Sequence, residues 1–413
     1  MSFQVALSGL AAAQTELDVT GNNIANVATT GFKESRAEFT DIYATSIQDL
    51  GTQAAGRGVR VARVSQQFSQ GTVEFTSNNL DLAVNGEGFF VLEDTAGSRF
   101  YSRAGALSVD RDGYIVNHAA QRLQAYPPIT GTTNFDTGTV TDLQLNLQPS
   151  APSASTSITA GVNINASDTA PTVAFVAAAP TATMYNSASS ITVYDTLGDA
   201  HTATMYFDKE AANEWDVYVS VDGGTADGPE TIVFDSAGAL DPGGTNATDT
   251  AGIVSFGAYT FTNGAATMSL DIDFNTATQY AGEFGVNELS QNGYTSGRLN
   301  GVDVDDSGVV FARFTNGRST SLGQVVLAKF NNPSGMGKEG GNNWTETFDS
   351  GDAQLGEAGT SSFGTIQSGA LELSNVDIAT QLVKLIVAQR NFQANAKAIT
   401  TSDQVTQAVI NIR

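Results

Sequence analysis

The chain has 413 residues, no cysteine, 43 acidic against 19 basic residues, and a formal net charge of −24. The missing thiols exclude disulfides and thiolate metal sites, and the acidic excess argues against nucleic acid or an anionic membrane as partner. A chain of this length suits two or three domains and can bury a sizeable core.

At the amino end, Phe3, Leu7, Leu10, Gln14, Leu17, Gly21 and Ile24 recur at alternating spacings of four and three, which predicts a helix with a narrow apolar seam. The run Ala11-Ala12-Ala13 adds helix propensity. No lysine or arginine precedes Lys33, so the basic region of a secretory signal is missing, and no apolar run is long enough to span a membrane. The expectation is export, if any, without a cleaved signal and without membrane insertion. Gly21-Asn22-Asn23 and Thr29-Thr30-Gly31 are breaker signals expected to end or bend the helix, with Asn22, Asn23 and Asn26 capping or turning it.

Residues 33–71, including Ser35-Arg36-Ala37-Glu38-Phe39, have poor periodicity and read as a connector with one short strand, Val59 to Val64. From Thr72 the pattern is β. Val73 and Phe75 alternate, then Leu80, Leu82 and Val84, and Asn85-Gly86 predicts a hairpin turn into Phe89 to Leu92. Asp112-Gly113 predicts another turn between Val109 and Tyr114 to Val116. Between residues 150 and 297 stand 17 acidic residues and one basic residue, Lys209. Alternating runs at 191–194, 203–207 and 215–221, with turns at Asp222-Gly223 and Asp241-Pro242, predict a separate antiparallel β domain there. Near Gly285 the earlier style resumes: Val309, Phe311 and Phe314, a turn at Asn316-Gly317, then Leu322 to Phe330.

At the carboxyl end, Ile378, Leu382, Leu385, Gln389, Phe392, Ala396 and Ile399 repeat the four-three alternation, and the stripe then rotates to Ser402, Val405, Val409 and Ile412. Ser374 with Asp377 reads as a capping box, and no proline follows Pro333, so a helix is predicted to run to the chain end. The expected fold class is mainly β with α-helical termini. Helices in 1–32 and 372–413 form a coiled-coil-like inner layer, and 33–71 is a connector. Residues 72–148 and 285–371 form an inner antiparallel β domain, and 149–284 an acidic outer one inserted in it. Helices of this length are marginal alone in water, so their seams need a cover: the rest of the chain, a membrane, or copies of the same pair. Phe3, Leu7, Leu10, Leu17, Ile24, Ile378, Leu382, Leu385, Phe392, Ile399, Val405 and Val409 are the candidate self-assembly seam.

Little points to chemistry. His118 and His201, the only histidines, stand in separate segments and read as surface or turn residues. Asp303-Val-Asp305-Asp306-Ser307-Gly308 imitates the start of a calcium loop, but Phe314 stands where the closing glutamate belongs. Gly335-Met-Gly337-Lys338 imitates a phosphate loop, but Asn332 and Glu339 replace its first glycine and its Ser/Thr. Tyr194, Tyr206, Phe207, Trp215 and Tyr218 lie in strand patterns and read as core or cross-strand pairs. No catalytic, cofactor-binding or metal residue is assigned, no cofactor is expected, and the reading is not an enzyme.

Several stretches resemble the bacterial flagellar rod and hook protein family. They are Leu7-Ser8-Gly9-Leu10, Leu17 to Asn26, Thr30-Gly31-Phe32-Lys33 and Leu80 to Phe90. Residues 292–294, 299–304 and 322–330 resemble its hook members in particular. So do Phe363-Gly364, Ser368 to Glu372, Ser374 to Asp377 and Ala388 to Asn395. Over the acidic middle the likeness fades. The resemblance implies a subunit of a curved hollow tube that joins rod to filament, transmitting torque while it bends. It further implies that the partners are copies of the chain itself, the distal rod protein, the hook cap, the hook-filament junction protein and the flagellar export apparatus. Two readings compete: a distal rod subunit of the same family, in which the acidic insertion is unexpected, and a secreted adhesin or fibre module, which leaves the paired seams unexplained. A secreted hydrolase ranks third.

Overall fold

In this computed structural model two α-helices, α1 (Ser2–Ala25) and α2 (Ile378–Asn411), frame described residues that are otherwise strand, turn and one 3-10 turn at Pro333–Gly335. The structure describes residues 2–42, 56–146, 148–245, 252–360 and 362–411; Ile412 lies outside them, as does the side chain of Val409. α1 runs through Gly21-Asn22-Asn23 instead of breaking there, because the Asn23 amide is engaged with Ser35 and does not compete for the local backbone. The chain leaves the helix after Ala25 and turns at Gly31, whose φ of 68° suits glycine. The N-cap of α2 is Asp377, whose Oδ1 accepts the Thr380 N–H at 2.7 Å. Ser374 is spent one turn earlier, accepting the Val376 N–H, so the expected Ser374 cap is corrected to Asp377.

The chain divides into two units, one of Met1–Leu147, Gly301–Arg313 and Ser319–Arg413, the other of Gln148–Asn300 and Phe314–Arg318. In the first, β1 (Ser35–Asp41) pairs antiparallel with β2 (Val59–Gln66), so the segment read as a connector holds two strands. A bulge at Glu38/Phe39 interrupts the alternation, which is why periodicity failed to reveal β1. The strand Ser319–Lys329 pairs with Val309–Phe314, with Arg122–Tyr126, with Phe89–Glu93 and with Gln354–Glu357. Over it lies an aromatic core in which Phe68, Phe89, Tyr101, Phe330 and Trp344 meet edge to face. The turns at Asp112-Gly113 and Asn316-Gly317 join antiparallel neighbours, as expected. Asn85-Gly86 does not. Leu82–Asn85 pairs with Thr365–Ser368, and Phe89–Glu93 with Arg99–Ser102. Gly86 and Gly88, at φ of 113° and 133°, carry the chain from one sheet to another.

The second unit is a two-sheet sandwich. Ser187–Tyr194, Ala200–Ala211, Glu214–Val221 and Asp227–Val233 form an antiparallel meander in chain order. The facing sheet is built on Ser157–Asn165, which pairs antiparallel with Gly285–Gln291 and parallel with Met268–Asp273 and Thr278–Tyr280, so it is mixed instead of purely antiparallel. Ile158, Met205, Phe207, Trp215, Leu270 and Phe274 fill the space between.

Candidate functional site

The chemistry-bearing feature of the first unit is the junction of the two chain ends. α1 and α2 run antiparallel: Gly9 faces Asn395, with room so short that an added Cβ would stand 2.7 Å from Asn395 Oδ1, and the Asn23 amide donates to Gln381 Oε1 at 3.2 Å. The buried residues of α1 are Ala6, Ala12, Ala13, Thr20 and Asn23, and of α2 Gln381 and Ala388. Half-buried Leu10, Leu17 and Ile24, and Leu385, Phe392 and Ile399, flank them at spacings of three and four. Small residues let the two backbones approach and the large ones close the margins. Phe3, Leu7, Ile378, Leu382 and Val405 are not in this contact. They stay 45–59% exposed, and Val5, Val383, Ile386 and Val387 are exposed as well, at 40–62%. The expected seam therefore divides: six members line the pair inside one chain, and five point away from it.

Polar side chains fix the pair to the segments flanking β1 and β2. Gln381 Nε2 and Lys384 Nζ both donate to Glu34 Oε1, at 2.8 and 2.7 Å, and the Glu34 N–H donates to Asn375 Oδ1 at 2.7 Å. Asn375 Nδ2 donates onward to Gln67 O and Ser69 O. Ser8 Oγ accepts the Val59 N–H from β2. Beneath them lies a buried ionic lock. Glu372, fully buried, takes Lys33 on Oε1 at 2.6 Å and Arg103 on Oε2 at 3.1 Å. Lys33 also donates to Ser69 O, Arg103 to Gly86 O, and the Gly71 N–H to Glu372. Burial pushes both cations below their ordinary pKa, and Glu372 pulls each back up. The sequence reading expected Asn23 to cap or turn α1, where it instead bonds Ser35 and Gln381, and it gave no role to Glu34, Asn375, Gln381 or Glu372. Their one signal was polarity inside segments otherwise patterned as apolar.

The residues weighed for chemistry have structural employment. His201 Nδ1 lies 2.6 Å from Asp222 and its Nε2 3.4 Å from Asp195, with the ring stacked on Phe261, so it is a strand residue clasped by carboxylates and not a free surface histidine. Asp303 pairs with Arg313 and accepts from Asn79, while Asp305 closes its own turn through Ser307 and Val309. Lys338 lies over the Phe32 ring. Among the described residues no group of three or more His, Asp or Glu side chains is set to hold a metal ion.

Four family descriptions match consecutive parts of the chain. Residues 3–33 match the flagella basal body rod protein family, and 83–167 the flagellar hook protein FlgE/F/G D1 domain. Residues 163–294 match the flagellar basal body protein FlaE D2 domain, and 367–412 the flagellar basal body rod FlgEFG protein C-terminal family. The flagellar hook protein FlgE of Escherichia coli is 40% identical and that of Salmonella typhimurium 38%, each over the whole of both chains. The crystal structure of the Helicobacter pylori flagellar hook protein FlgE2 superposes with a TM-score of 0.53 at 16% identity, covering 72% of this chain and all of the other, a likeness of fold.

Proposed function

From the premise that this chain belongs to the flagellar hook protein family, we propose that its copies polymerise through the terminal helices into the curved hollow tube of the hook, a universal joint between rod and filament. The protein is a structural subunit of the flagellar hook. One observation supports polymerisation through the ends. With α1 and α2 already closed on each other, Phe3, Leu7, Ile378, Leu382 and Val405 remain about half exposed. An apolar stripe of that kind is a cost in a lone molecule and a gain once neighbours cover it. In this reading the helices of successive copies pack side by side around a bore and resist twist. The β units meet their counterparts through polar surfaces that slide, so the tube bends. Head-to-tail contacts that do not close into a ring extend it.

The same reading gives the chain no catalysis and takes it out of the cell without a cleaved signal. Its further partners are the distal rod protein, the hook cap, the hook-filament junction protein and the export apparatus. The test is assembly itself. Purified chain, concentrated in rising salt, should form tubes in electron micrographs. Leu382→Asp should abolish them while monomer circular dichroism stays unchanged, and tubes forming at an unaltered critical concentration in that variant would sink the assignment.

A further inference from the structure

Phe348 is fully exposed, more than any other large apolar side chain among the described residues. The turn that carries it is firmly held. Thr347 Oγ1 donates to Gly335 O at 2.6 Å and its N–H to Ser350 Oγ at 2.9 Å, Asn332 Nδ2 donates to Asp349 O at 2.9 Å, and Ser350 is wholly buried. A phenyl ring held out on a braced platform gains nothing in a single chain. Seated in a partner, it removes roughly 150–250 Å² of aromatic surface from water.

The turn sits at one end of a hairpin. Gly337–Gly340 pairs with Asn343–Thr345, with Gly335 and Thr347 at the open end and Gly341-Asn342 at the closed end. At the closed end lies a cavity of about 430 Å³, bounded by Thr29, Thr30, Ala104, Ala106, His118 and Asn342. Its wall is fixed: Asn342 Nδ2 donates to Thr30 O at 2.8 Å, and Gly341, at φ 58°, backs onto His118. None of the side chains lining it is a carboxylate. The platform around Phe348, by contrast, carries Glu346, Asp349 and Asp352. In a chain of net charge −24, such a knob is repelled by most of a second copy's surface and not by this cleft, whose one ionisable side chain is a histidine. Knob and hole at opposite ends of one hairpin also make the contact heterologous, the kind that extends an open filament when the rotation between copies does not close a ring.

We propose that Phe348 of each copy seats in the Thr30/Ala106 cleft of the next copy in the assembled tube. This rests on the hook-subunit reading and names one contact within it. The chain has no native cysteine, so engineered thiols report on it without background. Chains carrying Phe348→Cys are mixed with chains carrying Ala106→Cys, assembled and oxidised. Mixed tubes should yield covalent dimers, and a Phe348→Cys/Ala106→Cys chain a ladder of multimers, while either single variant alone yields neither. Independently, Phe348→Ala should raise the critical concentration for assembly at least tenfold, with Phe348→Leu restoring most of it. Tubes without cross-links, or a Phe348→Ala chain that assembles like wild type, overturn this contact and leave the hook reading standing. Wild-type chain that forms no tubes overturns both.

Discussion

Glu372 holds two cations on one carboxylate in a place that water does not reach. Removing one partner of a buried ionic group leaves charge unpaired, which costs about 3–5 kcal/mol, whereas losing one of two cations leaves the other pair intact. We predict that Glu372→Ala lowers the unfolding free energy of the monomer by about 3–5 kcal/mol in urea titrations and that Lys33→Met costs clearly less. Equal losses would mean that the two cations do not share the lock. In the second unit the titrations favour mild acid. Burial, helped by Asp216 and Glu210, pushes Asp208 up to about 6, so the folded state keeps a proton that the unfolded chain has released. Stability therefore falls as pH rises from about 4 to 6 and stays lower above that. His201 adds in the same direction. Burial pulls its pKa down, but Asp222 and Asp195 together outweigh that and leave it raised, so its contribution is whole below the ordinary histidine range and is lost as pH rises through the folded value. Asp195 sets the acid limit. Burial opposes its charge, but bonds from Asn263, the Asp199 backbone and His201 hold it at about 2, and its contribution fades as pH falls below about 4. Asp208→Asn should raise the melting temperature of this unit by roughly 2–4 °C at pH 8 and not at pH 3.5, as scanning calorimetry will show.

At the scale of elements, the helix pair is held by its smallest residues. Ala388 is wholly buried in the helix that pairs with α1, and overpacking at such a site costs about 1–3 kcal/mol. Ala388→Leu should lower the melting temperature of the monomer, measured by circular dichroism, while Val383→Leu, on the exposed side, should not. The same contrast shows how much of the site was legible in the sequence. The four-three alternation revealed both helices, and Leu10, Leu17, Ile24, Leu385, Phe392 and Ile399 belong to any frame drawn through them. The choice between Leu7 and Ala6, or Leu382 and Ala388, as the inner neighbour depends on how closely the partner approaches. Apolar size alone does not decide it. Turns were legible where both strands are local, as at Asp112-Gly113. Asn85-Gly86 misled because the partner of Leu82–Asn85 arrives only at Thr365. β1 was hidden by its bulge, and the ionic lock by the long separation of Lys33, Arg103 and Glu372.

For the whole molecule, charge governs association. With 17 acidic residues and one basic between 150 and 297, copies repel one another wherever these stretches approach. Raising ionic strength from about 0.01 to 0.15 M shortens the screening length from about 30 to 8 Å. The critical concentration for tube growth, read by light scattering, should accordingly fall about tenfold or more. A rise would assign assembly to attractive ion pairs instead.

The bond between Asn23 and Gln381 joins residues 358 positions apart, and α1 finds its mate only in the final stretch of the chain. A copy lacking everything past Thr380 retains its strands, its sandwich and its ionic lock, yet its first helix keeps only β1 and β2 beside it and loses its helical mate. On the proposed assembly through the terminal helices, the junction of the two ends would work as an inspection stamp: a prematurely terminated product would lack the part that admits it, and defective units would exclude themselves without any separate inspector.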